Sequence, residues 1–158
     1  MPQDSNDSAA APTSKLLIRP ASAADLGAII ALLAREGLPT GDLATSRPQF
    51  LLACAGADLV GVGGLELYSS AALLRSLLVV RPWRNGGLGH RLVKALERQA
   101  RSAGVRELVL LTQTASEFFS QLGYQVIERV QAPAAVQNSA EFAALCPASA
   151  TCMAKTLR

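Results

Sequence analysis

RPWRNGGLGHR, residues 81–91, lies between an aliphatic run, LLRSLLVV (73–80), and a long stretch with helical periodicity. Gly86, Gly87 and Gly89 fall within four positions, with Arg81 and Arg84 just before them. Glycine loses more backbone entropy on folding than any other residue, so this cluster marks unusual backbone angles or a close approach. A plain strand-to-helix turn needs only one. Several glycines beside Arg84, where a helix begins with free N–H groups and a positive dipole end, describe an anion-binding loop. Arg84 would add a charge-assisted contact.

The surroundings limit which anion that is. No GxxxxGK[ST] run occurs in the chain. GLGHRL lacks the third glycine of GxGxxG, and at least three strands are expected before the loop, whereas that motif belongs to the first βα unit of a parallel sheet. Both nucleotide readings fail on context.

Outward from the loop, the hydrophobic pattern predicts the elements. KLLIR (15–19) reads as a strand stopped by Pro20, followed by a helix capped at Ser22 with Leu26, Ile29, Ile30 and Leu33 on one face and Gly37 at its end. GLPTGDL (37–43) is a loop or a short helix capped by Thr40. Residues 50–55 and 59–68 read as two strands about Gly56, Ala57 and Asp58, and 73–80 as a buried strand interrupted by Arg75 and Ser76. A helix runs from Leu88 to Gly104, where Leu88, Leu92, Val93, Leu96 and Ala100 share a face. Strands at 107–111, 124–130 and 150–157 and helices at 115–122 and 134–145 complete the order. That order predicts an α/β (α+β) domain with a mixed, mostly antiparallel sheet of six to seven strands and helices on both faces.

Composition agrees with one folded domain. The 158 residues are 50% apolar and 17% charged. A net charge of +3, without aromatic residues interleaved among basic ones, does not suggest nucleic-acid binding. No run approaches the roughly 20 apolar residues of a membrane helix. Residues 1–14 read as a disordered tail rather than a secretory leader, leaving 15–158 as the domain. Three cysteines without a CxxC pair suit reduced thiols in the cytoplasm.

Arg84, Gly87 and Gly89 fit the spacing R/Q-x-x-G-x-G/A between a central strand and the longest helix. Thr112-x-x-Ala115-x-x-x-Phe119-x-x-x-Gly123-Tyr124 is similar to N-x-x-A-x-x-x-Y-x-x-x-G-F. Together with the element order from Lys15 onward, these resemble the GNAT N-acetyltransferases, which bind acetyl-coenzyme A. A narrower resemblance, carried by GLPTGDL (37–43), LLRSLLVV (73–80), LLTQTASEFFSQLGY (110–124) and EFAALCPASATCM (141–153), is to the arsenic-resistance N-acetyltransferases.

A single histidine, with no HxxxH spacing, argues against a metal. The resemblance implies acetyl transfer from acetyl-CoA to a small amino-acid-like amine, including an arsenic- or phosphorus-containing glutamate analogue. A homodimer is compatible with it. It implies that the backbone of Leu78, Val79 and Val80 pairs with the pantetheine arm, with Val79 N–H as oxyanion donor. The N–H groups of Arg84, Asn85, Gly86, Gly87 and Gly89, with His90, would hold the pyrophosphate. Thr112 stands where the family has a coenzyme-contacting Asn, and Phe119 where many members have a Tyr general acid. Phe119 has no proton to give, and Tyr124 is expected in the core.

The remaining candidates come from the residues themselves. Glu66, in the apolar strand VGVGGLELY, is the first choice of base, against an exposed strand carboxylate. Arg75 must reach solvent, pair with an acid such as Glu66, or meet a substrate acid group. In a regular strand Ser76 would face away from it. His90 is a phosphate neighbour or a solvated helix residue. Two readings of other classes stay open: a coenzyme-binding sensor without transfer, prompted by Phe119 and Thr112, and a metalloid site at Cys146 and Cys152.

Overall fold

The computed structural model describes residues 15–158, so the expected tail lies outside the described residues. Strand β1 (Leu16–Pro20) is followed by a 3-10 turn, Ala23–Asp25, and helix α1 (Leu26–Arg35). Ser22 caps this start as its sequence suggests, and its N–H donates to Asp25 Oδ2 at 2.8 Å. Next come the short helix α2 (Leu43–Ser46), β2 (Gln49–Ala55), β3 (Asp58–Tyr68) and β4 (Ala71–Val79). The glycine loop leads into α3 (Leu88–Ser102), then β5 (Glu107–Thr112), α4 (Ser116–Gln121), β6 (Gln125–Val126), α5 (Ala134–Gln137) and β7 (Thr151–Thr156).

The seven strands form one sheet in the order β1-β2-β3-β4-β5-β7-β6. Every pair is antiparallel except β4–β5. Alternation along the strands separates two faces. Leu51, Leu65 and Leu74 pack under α3 with Leu92, Leu96 and Phe119. Phe50, Leu52 and Val62 pack on the other face with Ile29, Leu33 and Leu43 of α1 and α2. Further along that second face, Leu73 and Val109 meet Val136 and Phe142.

Three expected elements differ. The sixth strand shrinks to Gln125–Val126, because the chain turns into a 3-10 turn at Arg129–Gln131. The helix expected over 134–145 is broken: α5 ends at Gln137, and a π-helical turn follows at Glu141–Leu145. Ser139 sits at the break, where its Oγ accepts from Phe142 N–H at 3.4 Å, local competition of the kind that disfavours serine inside helices. The short helix after Gly37 starts at Leu43 with Asp42 at its N-cap position, two residues later than a Thr40 cap would set it.

Candidate active site

Strands β4 and β5 pair only from Ala71–Glu107 to Leu73–Val109. Beyond Leu73, β4 has β3 as its one strand partner, and β5 turns to β7. The sheet opens into a wedge. The register of β4 against β3 shifts between the Val62–Leu78 and Gly64–Arg75 pairs, a bulge in which Ser76 takes φ +60°. The bulge overturns the regular alternation expected here. Arg75 Nε stands 3.1 Å from Ser76 Oγ, and both residues line the same cavity of about 350 Å³. Leu77 of β4, Leu110–Thr112 of β5, Phe119, Glu141 and Cys146 also line it.

Beyond the bulge, backbone direction can be assigned. Val80 N–H donates to Val60 O at 2.9 Å, and Leu78 lies opposite Val62. Alternation therefore turns the peptide groups of Val79 away from β3, toward the wedge. Arg84 Nε donates to Val79 O at 2.7 Å, which fits that direction. Of the three residues expected along the coenzyme arm, Val79 alone presents its backbone there.

The glycine loop has the geometry that its composition demands. Asn85 and Gly87 take φ +67° and +88°, and Gly87 is the N-cap of α3 with no side-chain cap on the helix. A Cβ on Gly87 would meet nothing within 4 Å, so the glycine is required by backbone angle rather than by crowding. Gly89 is close to a neighbour instead: a Cβ there would lie 3.3 Å from Phe118 Cζ. The uncapped N–H groups at the start of α3 fit an anionic group such as a pyrophosphate. Arg84 bends back to Val79 O and reaches Glu36 Oε1 at 3.5 Å. His90 is exposed and borders the groove between α3 and β1 with Lys94 and Arg98.

On the second face, Arg75 is fully buried among carboxylates. Its Nη1 lies 2.6 Å from Asp42 Oδ2 and 2.6 Å from Glu66 Oε2, and its Nη2 lies 3.0 Å from Asp42 Oδ1. Glu141 Oε2 is 3.6 Å from Nε. The Glu66 pair foreseen as one alternative for Arg75 thus forms, and two further acids join it. Glu66 Oε1 accepts from the Tyr68 hydroxyl, so both Glu66 oxygens are engaged and the residue does not line the cavity.

Burial opposes ionisation of Asp42, but hydrogen bonds from Arg75 and Ser46 hold its carboxyl below the ordinary value. Glu141 behaves oppositely. Burial pushes it up to about 7 against the pull of Arg75, with the charges of Glu66 and Asp42 adding to the rise.

Thr112 Oγ1 accepts from Ala115 N–H at 3.0 Å and so secures the turn into α4. Phe119 packs edge-on against Phe118 and Tyr124. Tyr124 is buried as expected, with its hydroxyl donating to Glu97 at 2.9 Å. Cys146 lines the cavity, whereas Cys152 packs beneath the sheet with Leu73 and Val109. Burial pushes the Cys146 thiol up to about 11 and raises Cys152 as well, away from the thiolate form that ligates metalloids. No group of three or more His, Cys, Asp or Glu suited to a metal occurs among the described residues, nor a helix long and apolar enough to cross a membrane.

Asp42, Tyr68 and Glu141 carry no role in the sequence reading. Asp42 and Glu141 do lie in GLPTGDL and EFAALC, two of the segments that bear the narrower resemblance.

Comparison with known proteins agrees with this fold. In solved structures, the fold is similar to N-acetylglutamate synthase from Neisseria gonorrhoeae complexed with coenzyme A and N-acetyl-glutamate (TM-score 0.75, 20% identity, 92% of this chain and 36% of that one). It is also similar to a Mycobacterium tuberculosis protein in complex with CoA (TM-score 0.76, 24% identity, 90% and 99%). Among curated sequences, mouse N-alpha-acetyltransferase 80 is 44% identical over 59 residues, 37% of this chain and only 19% of that protein. An uncharacterized N-acetyltransferase of Chlorobaculum tepidum is 32% identical over 114 residues, covering 69% of this chain and 71% of its own. The model of the acetyltransferase (GNAT) family matches residues 26–124. With its split sheet and glycine loop, the chain belongs to the GNAT acetyltransferase family.

Proposed function

We propose that the protein is an acetyl-CoA-dependent N-acetyltransferase acting on a small amine. The observation that carries this reading is the wedge beyond Leu73, with Val79 facing it and the glycine loop at its end. Acetyl-CoA lies along β4 with its pyrophosphate at residues 84–89. Val79 N–H donates to the thioester oxygen and stabilises the charge that develops there. Phe119 forms an apolar wall beside the acetyl group. The departing thiolate takes its proton from the acceptor nitrogen or from water.

The narrower resemblance would bring an anionic glutamate analogue to Arg75. Its donors are already held by Asp42 and Glu66, and its side chain has no exposed surface, which favours a structural duty over recognition of such an acid. The same contacts withdraw Glu66 from the role of base.

The test is calorimetric titration with acetyl-CoA, followed by acceptor-dependent thiol release over a panel of amines. Binding together with release supports the proposal. Binding without release for any amine identifies a coenzyme-binding sensor.

A further inference from the structure

The cavity where β4 and β5 part has an unbalanced charge. Arg75 is the one basic side chain among the residues lining it, and it is surrounded by Asp42, Glu66 and Glu141. One guanidinium cannot neutralise three carboxylates. Asp42 and Glu66 take its short contacts, whereas Glu141 has only the 3.6 Å approach to Nε. Glu141 also differs from those two acids in lining the cavity, which it shares with Leu77, Thr112 and Phe119. The second acid of the lining, Glu36, sits at the rim and pairs with Arg84.

From this arrangement we infer that the acceptor enters as a cationic amine without a neighbouring acid group, and that Glu141 binds its ammonium and removes the proton. The inference rests on the transferase reading above and names its substrate class and base. Asp42, Glu66 and Arg75 act as positioning residues. Arg75 anchors Glu141, whose proton affinity is raised first by burial and then by the two fixed carboxylates.

The ammonium gives one proton to the Glu141 carboxylate, which becomes a neutral acid. The free amine attacks the thioester carbon, forming a C–N bond, and the C–S bond breaks. A second proton from the nitrogen passes to the departing sulfur, giving the amide and CoA thiol. Glu141 then returns its proton to water.

Burial is the largest cause of the rise at Glu141, and the charged groups facing it modify that rise. Arg75 of β4 opposes the rise, while Glu66 of β3 and Asp42 before α2 add to it; Cys146, at the end of the same π-helical turn, is raised by burial and then by Glu141. A carboxyl brought to about 7 by burial is half ionised near neutral pH, well matched to general-base work.

The experiment compares wild type and Glu141→Gln with 1,4-diaminobutane and lysine amide on one arm, and glutamate and its phosphinic analogue on the other. The wild type is expected to favour the cationic arm at least tenfold in kcat/KM, with a rate that rises through pH 7. Glu141→Gln keeps the side-chain shape and relieves charge crowding, so it should fold and bind acetyl-CoA with unchanged affinity. Its kcat/KM at pH 7 should fall about 100-fold or more. The rising limb should move up to the acceptor amine's own pKa, a change that a purely structural role would not produce.

Preference for the anionic arm, or a variant that keeps the limb near pH 7, overturns the inference while leaving transferase activity intact. Release with other amines of the wider panel but with neither arm also overturns the inference alone, whereas failure of the wild type to bind acetyl-CoA, or to release thiol with any amine, overturns the transferase reading itself.

Discussion

Arg75 holds Asp42 with both terminal nitrogens, at 2.6 and 3.0 Å, across 33 residues of sequence. The pair ties the connection between α1 and α2 to β4 at the bulge, where the strand leaves β5. A guanidinium suits this task because its planar fork meets both carboxylate oxygens at once and stays charged when buried. Burying the charge is costly, and the surrounding acids offset that cost.

Arg75→Met should therefore destabilise the domain by about 3–5 kcal/mol, because it leaves Asp42, Glu66 and Glu141 facing each other without a cation. Arg75→Lys should recover only part of this, since an ammonium cannot fork across Asp42. Urea unfolding of the two variants measures both quantities. An unchanged midpoint in Arg75→Met would show that the cluster does not support the fold.

Gly87 makes a different demand. Its φ of +88° is strained for any side chain with a Cβ, and a β-branched residue adapts to that angle least well. Gly87→Val should weaken acetyl-CoA binding at least tenfold, equivalent to about 1.4 kcal/mol. Gly104, at the other end of α3, has a φ of +86° and equally open surroundings. Gly104→Val should lose comparable stability yet keep coenzyme affinity, so titration of the pair separates loop function from backbone strain.

These contrasts show what could be read in the chain. The glycine loop was legible because positive backbone angles leave a mark in residue type. The helical faces and most strands were legible because burial has a period. The bulge was not: nothing in LLRSLLVV marks Ser76 as a residue with φ +60°, and a regular strand would have turned it away from Arg75. Glu141 was hidden for another reason. Its segment reads as one amphipathic helix, and only the break at Ser139 brings the carboxylate to Arg75, more than sixty residues away in sequence. Glu66 was legible as an acid in an apolar strand, but its partners decide its duty.

Tyr124 offers a check on the source of the leaving-group proton. Its hydroxyl is spent on Glu97, which also accepts from Lys155 at 3.0 Å, and burial raises it further above the ordinary phenol range. Tyr124→Phe should leave kcat within about twofold of wild type while costing roughly 1–3 kcal/mol in stability, because a hydrogen bond to a buried carboxylate is lost. A large fall in kcat at unchanged folding would make Tyr124 the acid and displace the role given to the acceptor nitrogen.

Stability should depend on pH through Glu141 and Asp42 in opposite directions. Glu141 rises from an ordinary 4.5 to about 7 in the folded protein, because burial, reinforced by Glu66 and Asp42, disfavours its charged form. Between those values the folded state binds a proton that the unfolded chain has released. The contribution of Glu141 is therefore fully present below about pH 4.5 and is lost as pH rises through 7. Asp42 has the opposite sign, since its carboxyl is lowered and its contribution is lost in acid. Comparing wild type with Glu141→Gln removes one of these and leaves the other. The variant should match the wild type near pH 4.5 and exceed it at pH 8 by roughly 2–4 kcal/mol. Urea unfolding at the two pH values measures the difference. An equal gap at both would mean that Glu141 titrates alike in the folded and unfolded chain, and that its burial beside Arg75 leaves its proton affinity unchanged.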